Sequence, residues 1–241
     1  MAVKELWLSR HGESVANVAA TRAELEGLER IAVDARDADV VLSATGEEQA
    51  AALGRWVAEH RSAIDAFWVS PYRRARQTLA IALGESGPPA VVAVDERLRD
   101  RELGILDLLT SRGVARLHPE EAERRRHLGK FYHRPPGGES WADVALRLRS
   151  FLGDAANGPA ETVMIVAHDA VVMLILALLL PLEEEELLEF AASHTVLNAS
   201  VTHLVRGEDG WRLVEFAAVE HLTSEGAPVT VHPGNPDVEP E

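Results

Sequence analysis

Short apolar runs alternate with longer segments of helical pattern along the chain. The short runs predict strands at residues 3–9, 66–69, 91–94 and 162–167. The longer segments predict helices at residues 45–60, 72–83, 140–154 and 170–182, the first of which opens with capping-box spacing at Thr45 and Glu48. Because strands and helices alternate, we expect an α/β fold in three layers, α/β/α, with helices on both faces of a mostly parallel central sheet.

Two different patterns follow one another towards the C-terminus of the chain. Residues 201–205 and 211–218 flank Gly207 and Gly210, a pattern that predicts a β-hairpin. Beyond it, Pro, Gly and acidic residues dominate, a composition typical of disorder. We therefore expect one domain over residues 1–222 and a disordered acidic tail over residues 223–241.

Charge and composition exclude several classes of partner. Lys and Arg number 24 against 39 Asp and Glu, a net charge of −15, which disfavours nucleic acid and anionic membranes. The longest charge-free apolar run, residues 170–182, is well short of the roughly 20 residues of a membrane span. The absence of cysteine excludes a thiolate nucleophile and fits a cytoplasmic protein. Nothing in the sequence indicates the oligomeric state.

Two polar motifs follow predicted strands directly. Arg10, His11 and Gly12 come after the first strand, and His168 comes after a later one. Ligands of open α/β sheets bind beyond the carboxyl ends of the strands. These residues therefore mark a candidate site, at which Gly12 would allow a sharp turn and close approach of a ligand.

The first of these motifs resembles the signature of the histidine phosphatase superfamily, also called phosphoglycerate-mutase-like. The matching segment is LSRHGES at residues 8–14. Further blocks resembling that family follow in the family's order, at residues 70–78, 98–104, 136–140, 166–168 and 198–202. The resemblance spans about residues 3 to 220.

The resemblance implies a phosphatase in which His11 forms a phosphohistidine, assisted by His168, with no metal ion or organic cofactor. It implies that Arg10 and Arg74 bind the phosphate, although Arg73 and Arg76 are nearby alternatives to Arg74. The residue chemistry agrees. A phosphate monoester carries about two negative charges, and planar arginine side chains can bind its oxygens bidentately. A neutral histidine, held by a backbone carbonyl at its other nitrogen, is a competent nucleophile.

The leaving group needs a proton donor, for which two acids compete. Asp100 aligns with the family's acidic position, and many members have glutamate there. Glu102 lies two residues on and would face the same side of an extended segment. We favour Asp100, and either acid would need a raised pKa.

Further residues border the predicted pocket. The resemblance places Asn17 near the phosphate, and Glu139 and Ser140 in a loop beside it, although Ser140 and Asp143 also have capping-box spacing. Asp169 is expected to point away from the phosphate or to cap the next helix. The densest basic cluster either binds a second anion of the substrate or forms ion pairs with neighbouring glutamates; it comprises Arg124, Arg125, Arg126, Lys130, His133 and Arg134.

The sequence thus predicts a phosphomonoesterase that acts on a small phosphorylated substrate. The main alternative is phosphoryl transfer of the phosphoglycerate-mutase type, which is disfavoured because residues 21–42 lack the expected tryptophan. A metal hydrolase with His11, Glu13, His168 and Asp169 as ligands is a second alternative, and a non-catalytic interaction module is a third.

Overall fold

Six strands form one mixed sheet in the part of the chain that the computed structural model describes, residues 3–84 and 90–232. They are β1 (Glu5–Arg10), β2 (Ala66–Val69), β3 (Val92–Val94), β4 (Thr162–Ala167), β5 (Val201–Gly207) and β6 (Gly210–Ala218). Their order is β3-β2-β4-β1-β5-β6. The first four pair in parallel, whereas β5 is antiparallel to β1 and β6 to β5. The expected α/β fold and the hairpin are confirmed.

Helices cover both faces of this sheet. They are α1 (Val15–Leu25), α2 (Ala44–His60), α3 (Arg73–Leu83), α4 (Ser111–Leu117), α5 (Pro119–Tyr132), α6 (Trp141–Ala155), α7 (Asp169–Leu179), α8 (Glu184–Ser193) and α9 (Glu220–Ser224). Alternate side chains of β4 point to opposite faces, as in any strand. Ile165 packs with the apolar sides of α6 and α7, and Met164 packs with those of α2 and α3. The sheet is therefore the middle of three layers.

Helix α2 begins earlier than its sequence suggested. Ser43 caps it by accepting a hydrogen bond from the Gly46 N–H, so the predicted cap at Thr45 is wrong. Ser43 is the cap because the side chain of a cap residue accepts from the backbone N–H two or three residues ahead, whereas Thr45 already lies inside the helix. The other predicted capping box, Ser140 with Asp143 at the start of α6, is confirmed.

The segment after α9 differs from the expected disorder. The Gln49 side chain donates to the Pro228 carbonyl oxygen at 2.8 Å and to Thr230 Oγ1 at 2.9 Å. Composition indicates local propensity only, whereas a buried glutamine on α2 supplies the donors that hold residues 228–230. Residues 233–241 of the expected tail lie outside the described residues.

No helix within the described ranges is both long and apolar enough to cross a bilayer. The apolar helix α7 is instead covered by α6, α8 and the sheet, and most of its residues are buried.

The loop after β1 and the first turn of α2 approach each other so closely that two glycines are required. A Cβ atom at Gly12 would lie 2.6 Å from the Gly46 carbonyl oxygen, and one at Gly46 would collide with the Glu13 carbonyl oxygen. The sequence interpretation assigned Gly12 to the approach of a ligand. The structure gives it a packing role against α2.

We expect Gly46→Ala to lower the free energy of unfolding by about 1–3 kcal/mol or more, since the added methyl group overlaps backbone atoms. Gly153→Ala in α6 is the matched control, because nothing lies within 4 Å of the position of its Cβ atom. That control should be neutral or stabilising by about 0.5–1 kcal/mol, since alanine favours the helix. Urea unfolding of both variants tests this, and equal midpoints would contradict it.

Candidate active site

Two histidines meet at the carboxyl ends of the neighbouring parallel strands β1 and β4. Arg10 and Ala167 are register partners at these ends, and the His11 N–H donates to the Ala167 carbonyl oxygen at 2.9 Å. The next residues, His11 and His168, therefore leave the sheet side by side, with ring centroids 5.2 Å apart. Both side chains are buried.

The ring of His11 is held in one orientation from both nitrogens. Nδ1 lies 2.7 Å from the Gly12 carbonyl oxygen, which can only accept, so Nδ1 carries the proton. Nε2 is then the lone-pair nitrogen, and it accepts a hydrogen bond from Arg74 Nε at 3.1 Å. The expected contact with a backbone carbonyl is present.

The surroundings of His11 keep its ring neutral. Burial lowers its pKa well below the ordinary 6.5, and the nearby Arg74, His168 and Arg10 lower it further, against a smaller opposing effect of the Gly12 carbonyl. A neutral imidazole with a free lone pair is the nucleophilic form of histidine.

Arg74 connects this ring to two carboxylates. It lies in the first turn of α3 and is 4 % exposed, whereas Arg73 and Arg76 are exposed. Its Nη1 donates to Asp37 Oδ1 at 2.8 Å, and its Nη2 donates to Asp100 Oδ2 at 2.9 Å. Of the three arginines in this block, only Arg74 contacts His11.

Asp100 lies between Arg74 and His168, and the pKa of its carboxyl is lowered, whereas the sequence analysis expected it to be raised. Burial acts to raise the pKa of this carboxyl. The adjacent His168 imidazole, the Arg74 guanidinium and the Arg101 backbone N–H outweigh burial, so its pKa lies well below 3.8. Asp100 is therefore ionised at neutral pH, since its charge neutralises the buried Arg74.

The orientation of His168 follows from its neighbours. The Ser70 hydroxyl accepts from the Tyr72 N–H, so its own hydrogen is available to His168 Nε2 at 2.8 Å. Nδ1 then carries a proton on the side of Asp100 Oδ2, 3.2 Å away. That separation suits an ion pair, but the alignment does not meet hydrogen-bond geometry, and Nδ1 has no hydrogen-bond partner among the described residues.

Arg10 is buried behind His11 and is held by backbone oxygens. Its Nη1 donates to the Val196 carbonyl oxygen at 2.7 Å and to the His232 carbonyl oxygen at 3.0 Å. Within the described part of the chain, Arg10 Nε is buried without a hydrogen-bond partner, like His168 Nδ1 and His133 Nδ1. Two of these three atoms belong to the cluster around His11.

His232 joins the C-terminal segment to the site, which sequence reasoning missed. Its Nε2 lies 2.7 Å from Glu13 Oε2, and its Nδ1 lies 2.7 Å from Thr21 Oγ1. Glu13 Oε1 also accepts from the Ser43 hydroxyl. No sequence signal pointed to His232, because the interpretation assigned that region to a disordered tail.

Asn17 lies close behind His11 and is connected to it through Asn198. The Asn17 Oδ1 accepts from the Ser14 N–H in a capping box of α1. The buried Asn198 donates to the His11 carbonyl oxygen at 3.1 Å and to Asn17 Oδ1 at 3.4 Å. Asn198 was noticed only as part of a late family block, not as a site residue.

Glu139 and Ser140, which the sequence analysis predicts to bind substrate, both have partners within the protein. The Glu139 carboxylate accepts from Arg99 Nη2 at 2.6 Å and from Arg147 Nε at 3.0 Å. The Ser140 hydroxyl is occupied by Asp143 in the cap of α6. Ion pairing and helix capping satisfy both side chains, so the structure gives them positioning roles.

The basic cluster of the sequence forms ion pairs and other local contacts. His133 and Arg124 both contact Glu121, and Arg134 contacts Asp143. Lys130 lies 4.8 Å from the centroid of the Trp141 ring. Of the two interpretations of this cluster, these contacts agree with ion pairing to nearby acids.

The residues considered as metal ligands have other partners. Glu13 is occupied by Ser43 and His232, and Asp169 accepts from the Ala170 N–H at the start of α7. Among residues 3–84 and 90–232, no group of three or more His, Asp or Glu side chains is arranged to hold a metal ion.

This chain belongs to the histidine phosphatase superfamily. A model of branch 1 of that superfamily matches residues 6–219. The fold agrees. An alpha-ribazole phosphatase from Shigella flexneri, 21% identical, superimposes with a TM-score of 0.71 over 89% of this chain and 96% of that chain.

Other relatives carry phosphatase names. A mycobacterial glucosyl-3-phosphoglycerate phosphatase, solved with VO3, is 28% identical with a TM-score of 0.69, covering 90% of this chain and 100% of that chain. The fructose-2,6-bisphosphatase of Saccharomyces cerevisiae is 29% identical over 76% of this chain. The mouse 6-phosphofructo-2-kinase/fructose-2,6-bisphosphatase 1 is 28% identical over 95%. The chain spans only 36% and 44% of the lengths of these two curated relatives.

We expect the His11 ring to stay neutral on mild acidification. Its pKa is lowered, so protonation begins only at a pH below the range in which an ordinary histidine, with a pKa of about 6.5, titrates. NMR of the imidazole should show no titration between about pH 8 and pH 6, a window centred near that ordinary value. Arg74→Gln removes one of the neighbouring charges and should move the pKa upward. Titration near 6.5 in the unmodified protein would contradict the assignment.

We expect His232→Ala to lower kcat/KM by about 5-fold or more, the equivalent of roughly one hydrogen bond. The substitution releases the segment whose carbonyl oxygen holds Arg10. His232→Gln, which keeps a donor toward Glu13, should recover part of the loss. Val231→Ala is the control, because that neighbouring side chain is exposed. An equal effect of the two alanine variants would rule out a specific role of His232.

Proposed function

We propose that this chain hydrolyses phosphate monoesters through a phosphohistidine on His11. The observation that carries the proposal is the convergence of N–H donors around a neutral nucleophile. Arg74 Nε donates to His11 Nε2 directly, and two buried donors of the same cluster, Arg10 Nε and His168 Nδ1, have no hydrogen-bond partner among the described residues. Buried donors cost free energy unless they are paired, and phosphate oxygens would pair them.

In the first step His11 Nε2 attacks the phosphorus atom. The N–P bond forms, the bond from phosphorus to the ester oxygen breaks, and the ester oxygen leaves with the bonding electron pair. Arg10, Arg74 and His168 neutralise the charge on the three remaining phosphate oxygens. Donation from Arg74 Nε to His11 Nε2 must be given up to the phosphate, which frees the lone pair for attack.

The leaving oxygen takes its proton from Asp100. In the free protein this carboxyl is ionised, because Arg74 and His168 lower its pKa. A bound phosphate brings about two negative charges to those same donors, and this raises the pKa of the neighbouring carboxyl. Binding of the substrate thus favours the protonated form that the departure of the leaving group requires.

In the second step the same carboxylate takes a proton from water. The water oxygen attacks phosphorus, the N–P bond breaks, and the electron pair returns to His11 Nε2. Inorganic phosphate leaves, and the neutral histidine is restored. Among the acids considered from sequence, Asp100 contacts both Arg74 and His168, whereas Glu102 accepts from the Tyr72 hydroxyl.

The relatives support hydrolysis of a small phosphorylated molecule. Several of them carry phosphatase names, including one that is 28% identical and is matched over its whole length. The curated relatives are more than twice as long as the matched region, so their substrates do not transfer to this chain directly.

Phosphoenzyme trapping tests the nucleophile. After incubation with a radiolabelled phosphate monoester and acid-free denaturation, the protein should carry an acid-labile label that is absent from His11→Asn. Turnover of that variant should fall by about 10⁴-fold or more, since no other residue replaces the nucleophile. His60→Asn, on α2 outside the cluster, is the control and should keep both. Label retained in His11→Asn would refute the proposal.

A comparison of two leaving groups tests the acid. Asp100→Asn should slow hydrolysis of an alkyl phosphate by about 10²-fold or more, because the alkoxide needs a proton, and slow an activated aryl phosphate far less. Glu102→Gln is the matched variant. If its effect depends more strongly on the leaving group than that of Asp100→Asn, Glu102 is the acid.

A further inference from the structure

We propose that the substrate of this site carries its phosphate as its only anionic group near the ester, with a neutral or cationic leaving group. This inference rests on the proposed phosphatase function and adds the class of ester. It follows from three carboxylates at the outer side of the phosphate donors, Asp37, Glu102 and Asp107, and from the ion pairing of the neighbouring arginines.

Asp37 covers the outer edge of Arg74. Its two carboxylate oxygens lie 2.8 Å from Nη1 and 3.4 Å from Nη2, and its backbone oxygen also accepts from Nη1. The Asp37 side chain is 36% exposed, whereas that of Arg74 is 5% exposed. A group that approaches from solvent therefore meets the carboxylate, and the guanidinium lies behind it.

Glu102 adds a second negative charge on the same side. The Tyr72 hydroxyl donates to its Oε1 at 2.8 Å, the Tyr72 ring lies 5.2 Å from that of His168, and Arg74 lies over the ring face. Burial, and then Glu102 and Asp37, raise the pKa of the Tyr72 phenol. The phenol therefore stays neutral, and its hydrogen is donated to Glu102 instead of to an incoming anion.

Asp107 extends the negative region. This residue is exposed, and its carboxylate accepts from the Leu108 N–H. Its pKa is raised by burial of the carboxyl group and then by the charges of Asp37 and Glu102, with a smaller opposing effect of Arg74. Asp37 and Glu102 thus both act on the Asp107 carboxyl.

Three neighbouring arginines are already paired with other acids. Arg99 and Arg147 both bind the Glu139 carboxylate, and Arg134 binds Asp143. A second phosphate or a carboxylate on the leaving group would have to break such pairs and also approach the three acids. Sites discriminate by repulsion of this kind as well as by attraction.

The three acids and the paired arginines around the site predict a substrate different from those for which the relatives are named. Fructose 2,6-bisphosphate, for which the yeast relative is named, carries a second phosphate. An ester with an uncharged or ammonium-bearing leaving group meets no repulsion here, and a cationic group gains attraction from the three acids.

A matched pair of aryl esters tests the inference. Phenyl phosphate with a para hydroxymethyl group and phenyl phosphate with a para carboxylate differ mainly in charge, and the carboxylate makes the phenol the slightly better leaving group. We expect kcat/KM to be about 10-fold or more higher for the hydroxymethyl ester. High salt should reduce the ratio, because exposed charges are screened.

Asp107→Asn is the informative variant, since it touches neither the nucleophile nor the arginines. It should raise kcat/KM for the carboxylate ester several-fold and leave the hydroxymethyl ester unchanged. Asp154→Asn removes an exposed acid that pairs with Arg97 at the end of α6, and it should change neither. Equal turnover of the two esters by the unmodified protein, or preference for the carboxylate, would overturn the inference. If neither ester is hydrolysed and no phosphoenzyme forms, the proposed phosphatase function itself fails.

Discussion

The site depends on one buried positive charge, the guanidinium of Arg74. A charge taken out of water is tolerated only when it is paired and hydrogen-bonded, and Arg74 obtains this from Asp37 and Asp100 on its outer edge. Its remaining edge, at Nε, faces His11. The same charge that needs two carboxylates therefore also keeps the imidazole neutral, so one residue prepares the nucleophile and assembles its surroundings.

The two carboxylates paired with Arg74 determine which anions the site can bind. An incoming phosphate competes with Asp37 and Asp100 for Arg74, so a weak or singly charged anion gains little. A phosphate dianion that also reaches Arg10 Nε and His168 Nδ1 gains two donors that have no hydrogen-bond partner within the described residues. In the proposed mechanism this exchange weakens the interaction of Arg74 with Asp100, and the carboxyl can then carry the proton that the departing ester oxygen takes.

The residues predictable from sequence are those fixed by short-range rules. Arg10, His11 and His168 directly follow strands that pair in parallel, so the topology brings them together. Arg74 came from a family block, and only burial distinguishes it from Arg73 and Arg76. The expectation of a raised pKa for Asp100 was wrong for a different reason, because the balance of burial against the nearby His168 and Arg74 depends on three-dimensional distances.

The contacts that sequence could not give are long-range. Asp37 reaches Arg74 from a segment without clear periodicity, and His232 reaches Glu13 across 219 positions of the chain. The prediction for Glu139 rested on its position in the sequence, not on the partners of its side chain. This residue lies in a block that borders the pocket, but Arg99 and Arg147 turn its carboxylate toward themselves. A sequence motif indicates which part of the backbone lies near a site. The direction of a charged side chain depends on its partners in the folded protein.

The net charge of −15 and the three acids Asp37, Glu102 and Asp107 both repel anions. An excess of acid at long range repels every anion, and only convergent short-range donors can reverse this for one group at one place. The balance favours a phosphate that reaches the buried donors and disfavours any further anion that remains outside among Asp37, Glu102 and Asp107. Selectivity at such a site comes from the contrast between buried basic groups and the acids that neutralise them. The two cannot be varied independently, because Arg74 both contacts His11 and pairs with the acids.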